Sequence, residues 1–559
     1  MPERVQRCLV LWLIPVLLYL APLPFMPLME PDEGRYSSIP MAMNESGDYV
    51  TPRLKGTVYF EKPPLCYWAT AVAFQIFGRN EFSSRLFVAL CAWGCILLAY
   101  RVGSAFHDRR TGLYAAAVLS TFFYHAVLGR INILDMPLSL FVCLAIWSGY
   151  RYFASSPKER KKRHIYLLYF HSALAFLVKG LIGIVFPVGV VLLWLWLSRR
   201  WRETLRIFSP VGLALFAAVT FPWLILVQQA NPDFFRFFFI QEHLLRYATR
   251  MHDRYEPFYF YLPVLLAGTL PWCAYLPEAL RGLKARTANL FSDDEKRLLL
   301  VWLLLILAFF SLSSSKLIPY IAPVFIPLAL IFGRLFQVYE QEGDQARSAS
   351  LRCRWPLILT PLLFMAALTV PVFLERHQIG WGDWWPWITA PFLVLLLILV
   401  LPEALRRKRG YRPFWALYFC YTLFLVALIC PASHFLSPYK SARPLAEAIR
   451  THLPPGALCY QFGISLYGID FYNGSRTPIV DDFGEVSYGS EQLPPEERDR
   501  YFLTADRFYE RVRQEKTLYC ATIESDDKTI RLAKLRKEFP NLTVLWHNSH
   551  YYLLKLTVP

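Results

Sequence analysis

Apolar runs of about twenty residues recur along the first 430 residues of this chain, and nearly all of its charge lies between them. The first, "CLVLWLIPVLLYLAPLPF" (8–25), has no charged residue. A helix of this length crosses the hydrocarbon core of a bilayer, and few other folds can use so many such runs. Thirteen spans are predicted, near 8–26, 86–105, 113–129, 133–153, 165–178, 181–198, 208–228, 258–276, 298–313, 317–337, 355–374, 384–402 and 413–430. The fifth, "YLLYFHSALAFLV", is short, so spans five and six read either as two helices or as one kinked hairpin. Only 18% of the 559 residues are charged, against about a quarter in soluble proteins.

Charge in the connecting segments orients the spans. With Arg4 and Arg7 in the cytoplasm, alternate loops read "HDRRTG", "SSPKERKKRH", "SRRWRETLR", "RGLKARTANLFSDDEKR", "QARSASLRCR" and "RRKRGYR". The opposite short loops carry single bases: Arg130, Lys179, Lys316 and Arg376. This is the positive-inside pattern. It accounts for the net charge of +17 without a nucleic-acid partner. No small-residue cleavage site follows the first span, which is read as retained. The odd count places 431–559 on the outer face. There strand-like "ALCYQFG", "TLYCATI", "LTVLWHN" and "YYLLKLTV" alternate with helical "PLAEAIRTHL" and "EERDRYFLTADRFYERVRQ", the pattern of a small α/β domain. The eleven cysteines show no metal-ligand spacing. Cys459 and Cys520, both in this outer domain, are candidates to pair.

The same topology gathers the unusual polar residues on the outer face, in two long loops (27–85 and 230–257) and the tight turns. They lie in "EPDEGRY", "YFEKPPLCYW", "GRINILDMP", "VKGL", "FFFIQEHLLRYATRMHDRYEP" and "SSSKLIPY". Singly, each has an ordinary reading: Lys179 and Lys316 as snorkelling bases, Asp135 as a helix cap, the aromatics as belt residues. Jointly they can line one outer-face cavity, where ionisable groups are functional candidates. Lys62, Lys179, Arg246 and Arg254 suit a phosphate, with Tyr59 and Tyr320 as hydroxyl donors. Asp32, Glu33 and Asp135 suit a polyol, an amine or a proton. Pro63 and Pro64 stiffen the approach of Lys62. Phosphate-binding bases beside acids, above an apolar bundle, point to a lipid-phosphate-linked substrate.

"EPDEGRYSSIPMAMNESGDYVTPRLKGTVYFEKPPLCYW" (30–68) resembles the first outer loop of the bacterial lipid A aminoarabinose transferases, of the protein-mannosyltransferase-like branch of GT-C glycosyltransferases. The likeness continues in order through "LDMP", "VKGL", "FFFIQEHLLRY", "YEPFYFYLPVLLAGTLPW" and "SKLIPYIAP", over residues 8–330. It implies a polytopic GT-C protein of the bacterial inner membrane, with thirteen helices, a periplasmic α/β domain and a periplasmic active site. It also implies a monomer that moves 4-amino-4-deoxy-L-arabinose from undecaprenyl phosphate to a lipid A phosphate, conferring resistance to polymyxin and cationic peptides. No cofactor is required by it, and no glycine-rich nucleotide loop is present to contradict it. On this reading Lys62 neutralises the leaving phosphate, helped by Arg246 or Arg254 and by Tyr320. Asp32 is the key acid, whether it holds the acceptor, stabilises the oxocarbenium or binds the sugar's amine. Glu33 supports the loop or contacts Arg35, itself a substrate-side base. Glu61 and His243 form a candidate divalent-cation pair (Zn or Mg) of structural role. Two rivals stand beside this: a transferase of the same branch with another sugar or acceptor, and a lipid flippase. The flippase would need ionisable groups at mid-bilayer, whereas here they cluster at span ends.

Overall fold

A computed structural model describes residues 2–245, 256–277, 279, 291–342, 412–523 and 529–558. The chain forms two compact units: one of Met1–Leu23, Phe87–Arg130 and Leu134–Ile429, the other of Pro24–Leu86, Ile131–Ile133 and Cys430–Pro559.

The first unit is helical. Eleven of the thirteen expected spans fall on described residues, and each coincides with helix, among them Asp135–Ala154, Lys162–Lys179, Ile182–Leu197 and Asp293–Leu312. The expected spans near 355–374 and 384–402 lie outside the described residues. Among the described residues, four helical stretches are long and apolar enough to cross a membrane: Glu3–Phe25, Glu81–Phe106, Pro210–Ala230 and Ile318–Gln341. Spans five and six are two separate helices, and Gly183 shows how they pack. A Cβ there would lie 2.4 Å from the backbone of Ala175 and Phe176, so only glycine permits the approach. Polar caps set several helix starts. Asp108 accepts from the Thr111 N–H at 2.7 Å, and Ser292 and Glu295 form a reciprocal capping box before Asp293–Leu312.

The second unit is α/β. A two-residue-strand hairpin, β1 (Arg53–Leu54) and β2 (Thr57–Val58), comes from the first long loop. That loop also forms two unforeseen helices, Asp32–Ser46 and Leu65–Phe77. The tail opens on helix Ile429–Lys440 and builds a sheet from β3 (Cys459–Phe462), β4 (Ile479–Val480), β5 (Phe502–Leu503), β6 (Thr517–Ile523), β7 (Thr543–His547) and β8 (Tyr551–Thr557). The order is β5-β4-β3-β6-β8-β7; β5 to β6 run parallel, and β8 pairs antiparallel with β6 and β7. The four longer strands match the sequence pattern, whereas two-residue β4 and β5 leave no period to read. "EERDRYFLTADRFYERVRQ" is helix Pro495–Tyr501, then β5, then helix Ala505–Glu515, restarted by the Thr504 side chain.

The proposed cysteine pairing is incorrect. β3 and β6 pair Cys459 with Tyr519 and Tyr460 with Cys520, so the two cysteines sit one register step apart and face opposite sides of the sheet. Cys459 packs in the layer of Leu445 and Ile449, Cys520 in that of Phe508 and Val512. Both are free thiols.

First loop and tail share this unit through buried polar bonds. The Leu28 N–H donates to the Tyr472 hydroxyl at 2.8 Å, and the Lys55 ammonium to Asp470 Oδ1 at 2.7 Å and Thr477 Oγ1 at 2.6 Å. Glu30 accepts from the backbone N–H groups of Tyr467 at 3.1 Å and Gly468 at 2.5 Å. Gly468 leaves room for that carboxylate, because a Cβ there would lie 2.3 Å from Glu30 Oε1.

Candidate active site

Asp32 and Glu33 open one helix, and consecutive helical residues point about 100° apart. The two acids therefore meet different surroundings. The Asp32 side chain is 53% exposed, that of Glu33 only 1%. Glu33 Oε1 accepts from Arg85 Nε and the Asn132 N–H, both at 2.7 Å; Oε2 accepts from Arg85 Nη2 at 2.6 Å and the Met29 N–H at 2.9 Å. Arg85 also donates to the carbonyls of Met26 and Pro27. Both oxygens of Glu33 are engaged by the protein. Of the two expectations for Glu33, loop support is what the structure shows; its partner is Arg85, not Arg35. A buried pair of this kind is sustained only when its remaining hydrogen-bonding capacity is met, as it is here.

Arg35 is almost fully buried and pairs with Asp32, one turn earlier, and with Glu485. Its guanidinium lies 4.8 Å from the Tyr36 ring centre and 5.9 Å from that of Tyr59. Arg35 therefore holds two carboxylates, Asp32 and Glu485. The Tyr59 hydroxyl points to Glu485 Oε2 at 3.5 Å, and burial holds its pKa well above the ordinary value, so it remains an O–H donor. Lys62 follows on the same loop. Its ammonium donates to the Glu61 carbonyl at 3.0 Å and stands 3.8 Å from the Glu61 carboxylate. The unit thus assembles Asp32, Arg35, Tyr59 and Glu485, with Glu61 and Lys62 following Tyr59 in the loop.

Glu485 lies in the short turn Gly484–Val486, 453 positions beyond Asp32 in sequence. Sequence reasoning missed it, as it missed Arg85 and Lys55. No local motif surrounds Glu485. Arg85 did carry a signal, being a lone base at the start of a span.

In the helical unit, Asp135 is the first residue of Asp135–Ala154 and Lys179 the last of Lys162–Lys179. Their side chains meet at 2.6 Å, 9% and 13% exposed, and the ammonium lies 4.7 Å from the Tyr320 ring centre. An acid at a helix N-terminus and a base at a C-terminus each complement the helix dipole. Lys316, the other base read as snorkelling or cavity-lining, is held by backbone carbonyls. It donates to the Ser313 carbonyl at 2.7 Å and the Glu256 carbonyl at 3.0 Å, closing the end of helix Asp293–Leu312.

Arg246 and Arg254 lie outside the described residues. His243 belongs to helix Arg236–Leu245, but its side chain is outside the description, so its pairing with Glu61 is not placed. Among the described residues no three His, Cys, Asp or Glu side chains cluster as metal ligands would.

The family model for dolichyl-phosphate-mannose-protein mannosyltransferases matches residues 7–238. The crystal structure of ArnT from Cupriavidus metallidurans bound to undecaprenyl phosphate superimposes with a TM-score of 0.82 at 24% identity, covering 99% of each chain. That likeness gives the fold, a helical GT-C membrane protein. An undecaprenyl phosphate-α-4-amino-4-deoxy-L-arabinose arabinosyl transferase of Aeromonas salmonicida is 30% identical over 503 residues, 89% of this chain and 90% of the relative. Its namesake in Pseudomonas aeruginosa PAO1 is 34% identical over 402 residues, 71% of this chain and 70% of the relative. Identity at this level across most of both chains shows that the chain belongs to the undecaprenyl phosphate-α-4-amino-4-deoxy-L-arabinose arabinosyl transferase family, polyprenyl-phosphate-dependent glycosyltransferases.

Proposed function

We propose that this protein transfers 4-amino-4-deoxy-L-arabinose from undecaprenyl phosphate to a phosphate of lipid A at the outer face of the bacterial inner membrane. The observation that carries this reading is the Asp32–Arg35–Glu485 cluster: the family's key acid stands exposed on a helix whose other charges are all engaged. The bond from the anomeric carbon to the undecaprenyl phosphate oxygen breaks, and one to a lipid A phosphate oxygen forms. Positive charge builds on the sugar ring and negative charge on the departing oxygen. Lys62 meets the departing oxygen. A preorganised cation of this kind is worth about 10²–10³ in rate. Asp32, oriented by Arg35, faces the cationic sugar or its amine. The acceptor phosphate is already an anion, so no strong base is needed.

The topology belongs to the same proposal: thirteen crossings, the first long loop and the 431–559 domain in the periplasm, and a monomer at work. The alternation of basic loops supports it. Cysteines introduced in the first loop and in the tail should react with a membrane-impermeant thiol reagent once the outer membrane is permeabilised. One in "SSPKERKKRH" should react only after the inner membrane is opened. A structural divalent cation bound by Glu61 and His243 is part of the reading, and metal analysis of the purified protein tests it.

The match to protein mannosyltransferases over 7–238 favours one alternative, a transferase of the same branch acting on another sugar or acceptor. Mass spectrometry of lipid A from cells with and without the gene separates the two. An added mass of aminoarabinose supports the proposal, and unchanged lipid A with a modified protein or glycan overturns it.

A further inference from the structure

Away from the acids and bases of the transfer reaction, two loops of the helical unit are bound to each other. They follow helices Asp135–Ala154 and Ile182–Leu197, and the second contains the short turn Trp201–Ile207. Arg160 of the first donates to Glu203 of the second at 2.5 Å and to the Ser155 carbonyl at 3.4 Å. Arg200 returns to the Phe153 carbonyl and to Glu203, the latter at 3.0 Å. Arg160 is the unusual member. Its side chain is 6% exposed and its guanidinium lies 5.0 Å from the Tyr152 ring centre, yet Nε and Nη1 have no hydrogen-bond partner among the described residues. Two unmet N–H groups on a buried cation are costly. Each of these N–H groups is a charge-assisted donor of the kind that a phosphate oxygen accepts.

The surroundings favour an anion. Residues 151–164 and 199–206 carry ten Arg and Lys against only Glu159 and Glu203. Partial burial and the neighbouring Arg151, Arg163 and Lys161 hold His164 below its ordinary pKa, as a positive field requires. Glu203 is already shared by Arg160, Arg200 and Arg206, so it does not neutralise the rest. Beside these charges, Trp201, Leu205 and Phe208 are 59%, 75% and 69% exposed, and the Arg202 guanidinium lies 5.2 Å from the Trp201 ring centre. Arginines interleaved with exposed Trp, Leu and Phe, on a short turn between two apolar helices, suit the depth of lipid headgroups. A soluble anion would use the charges but leave the apolar side chains in water.

We propose that these two loops bind an anionic phospholipid of the surrounding bilayer, with Arg160 and Arg206 on its phosphate and Trp201, Leu205 and Phe208 against its acyl chains. Basic pockets between membrane helices bind such headgroups by the same chemistry. The proposal stands apart from the sugar, the acceptor and the transfer residues.

Native mass spectrometry of the full-length protein in detergent tests it, titrated in turn with phosphatidylglycerol, cardiolipin, phosphatidylethanolamine and inorganic phosphate. The anionic lipids should be retained, phosphatidylethanolamine should not, and millimolar inorganic phosphate should leave retention unchanged. Arg206→Gln, at a side chain 55% exposed, should weaken retention about fivefold, as expected for one charge. Arg160→Gln should weaken it more. Should that variant fail to fold, Trp201→Ala with Arg206→Gln carries the test. Equal retention of phosphatidylethanolamine, undiminished binding by the variants, or displacement by inorganic phosphate would each overturn the proposal.

Discussion

In the helical unit, Asp135 and Lys179 meet because each ends a helix, one at an N-terminus and one at a C-terminus. Local geometry and helix dipoles are enough to hold them. In the α/β unit, Arg35 is held by Asp32 from the preceding turn and by Glu485 from the far end of the chain. The first pair is a product of spans that end in the right places. The second exists only when the first loop and the tail fold as one body, which Lys55–Asp470 and Glu30 with Gly468 help to fasten. The tail thus takes part in holding Arg35 beside Asp32.

The largest effect should come from the loop base beside this network. Lys62→Ala should lower transfer by purified protein by about 10²–10³, while Lys62→Arg, which keeps the charge but changes its geometry, retains part of it. Near-normal transfer by Lys62→Ala would leave the lysine as a membrane anchor.

Next comes the pair in the bundle. Asp135→Asn and Lys179→Met should each destabilise the protein by leaving a nearly buried charge unpaired, and the double variant should recover much of that loss. The coupling should be about 1–3 kcal/mol in thermal melts. Additive losses would mean that the pair is held by its surroundings and not by each other.

A smaller loss is expected at the contact contributed by the tail. Glu485→Gln keeps the shape of the turn and weakens the grip on Arg35. It should reduce kcat about tenfold, equivalent to ~1.4 kcal/mol, with the melting temperature almost unchanged. If kcat holds and only stability falls, Glu485 is a fastener and the tail has no part in the chemistry.

The last effect concerns pH. Burial pushes the Glu30 carboxyl up to about 8, against the two backbone N–H groups that favour its charged form. Between the ordinary carboxylate value and about 8, the folded protein keeps a proton that the unfolded chain has released. Stability from this group is therefore complete at acid pH and is lost as pH rises toward 8. Thermal melts from pH 5 to 8 should fall, and Glu30→Gln should flatten part of the slope.

How much of this is legible in sequence follows the same division. The eleven described span positions, the helix-end placement of Asp135 and Lys179 and the four long strands are readable, because each leaves a period or a charge boundary in a short window. The exposure of Asp32 against the burial of Glu33 was not: both are acids in one first turn, and only the position of Arg85 separates them. Glu485 left no signal, since a contact across 453 positions writes nothing into its neighbourhood. For Lys316 the sequence could not show the carbonyls of Ser313 and Glu256 that it closes on, since the second lies 60 positions away. The cysteines misled because pairing depends on strand register, which composition does not encode.

The most direct test of the central claim, that the exposed and oriented Asp32 carboxylate acts in aminoarabinose transfer, compares two neighbouring variants in one readout. Lipid A is extracted from cells expressing wild-type protein, Asp32→Asn or Glu33→Gln at matched levels, and its mass is measured. Wild type should carry the aminoarabinose increment and Asp32→Asn should lack it although the protein is present and folded. Glu33→Gln should carry it in proportion to the folded protein that remains. Full modification by Asp32→Asn would contradict the account.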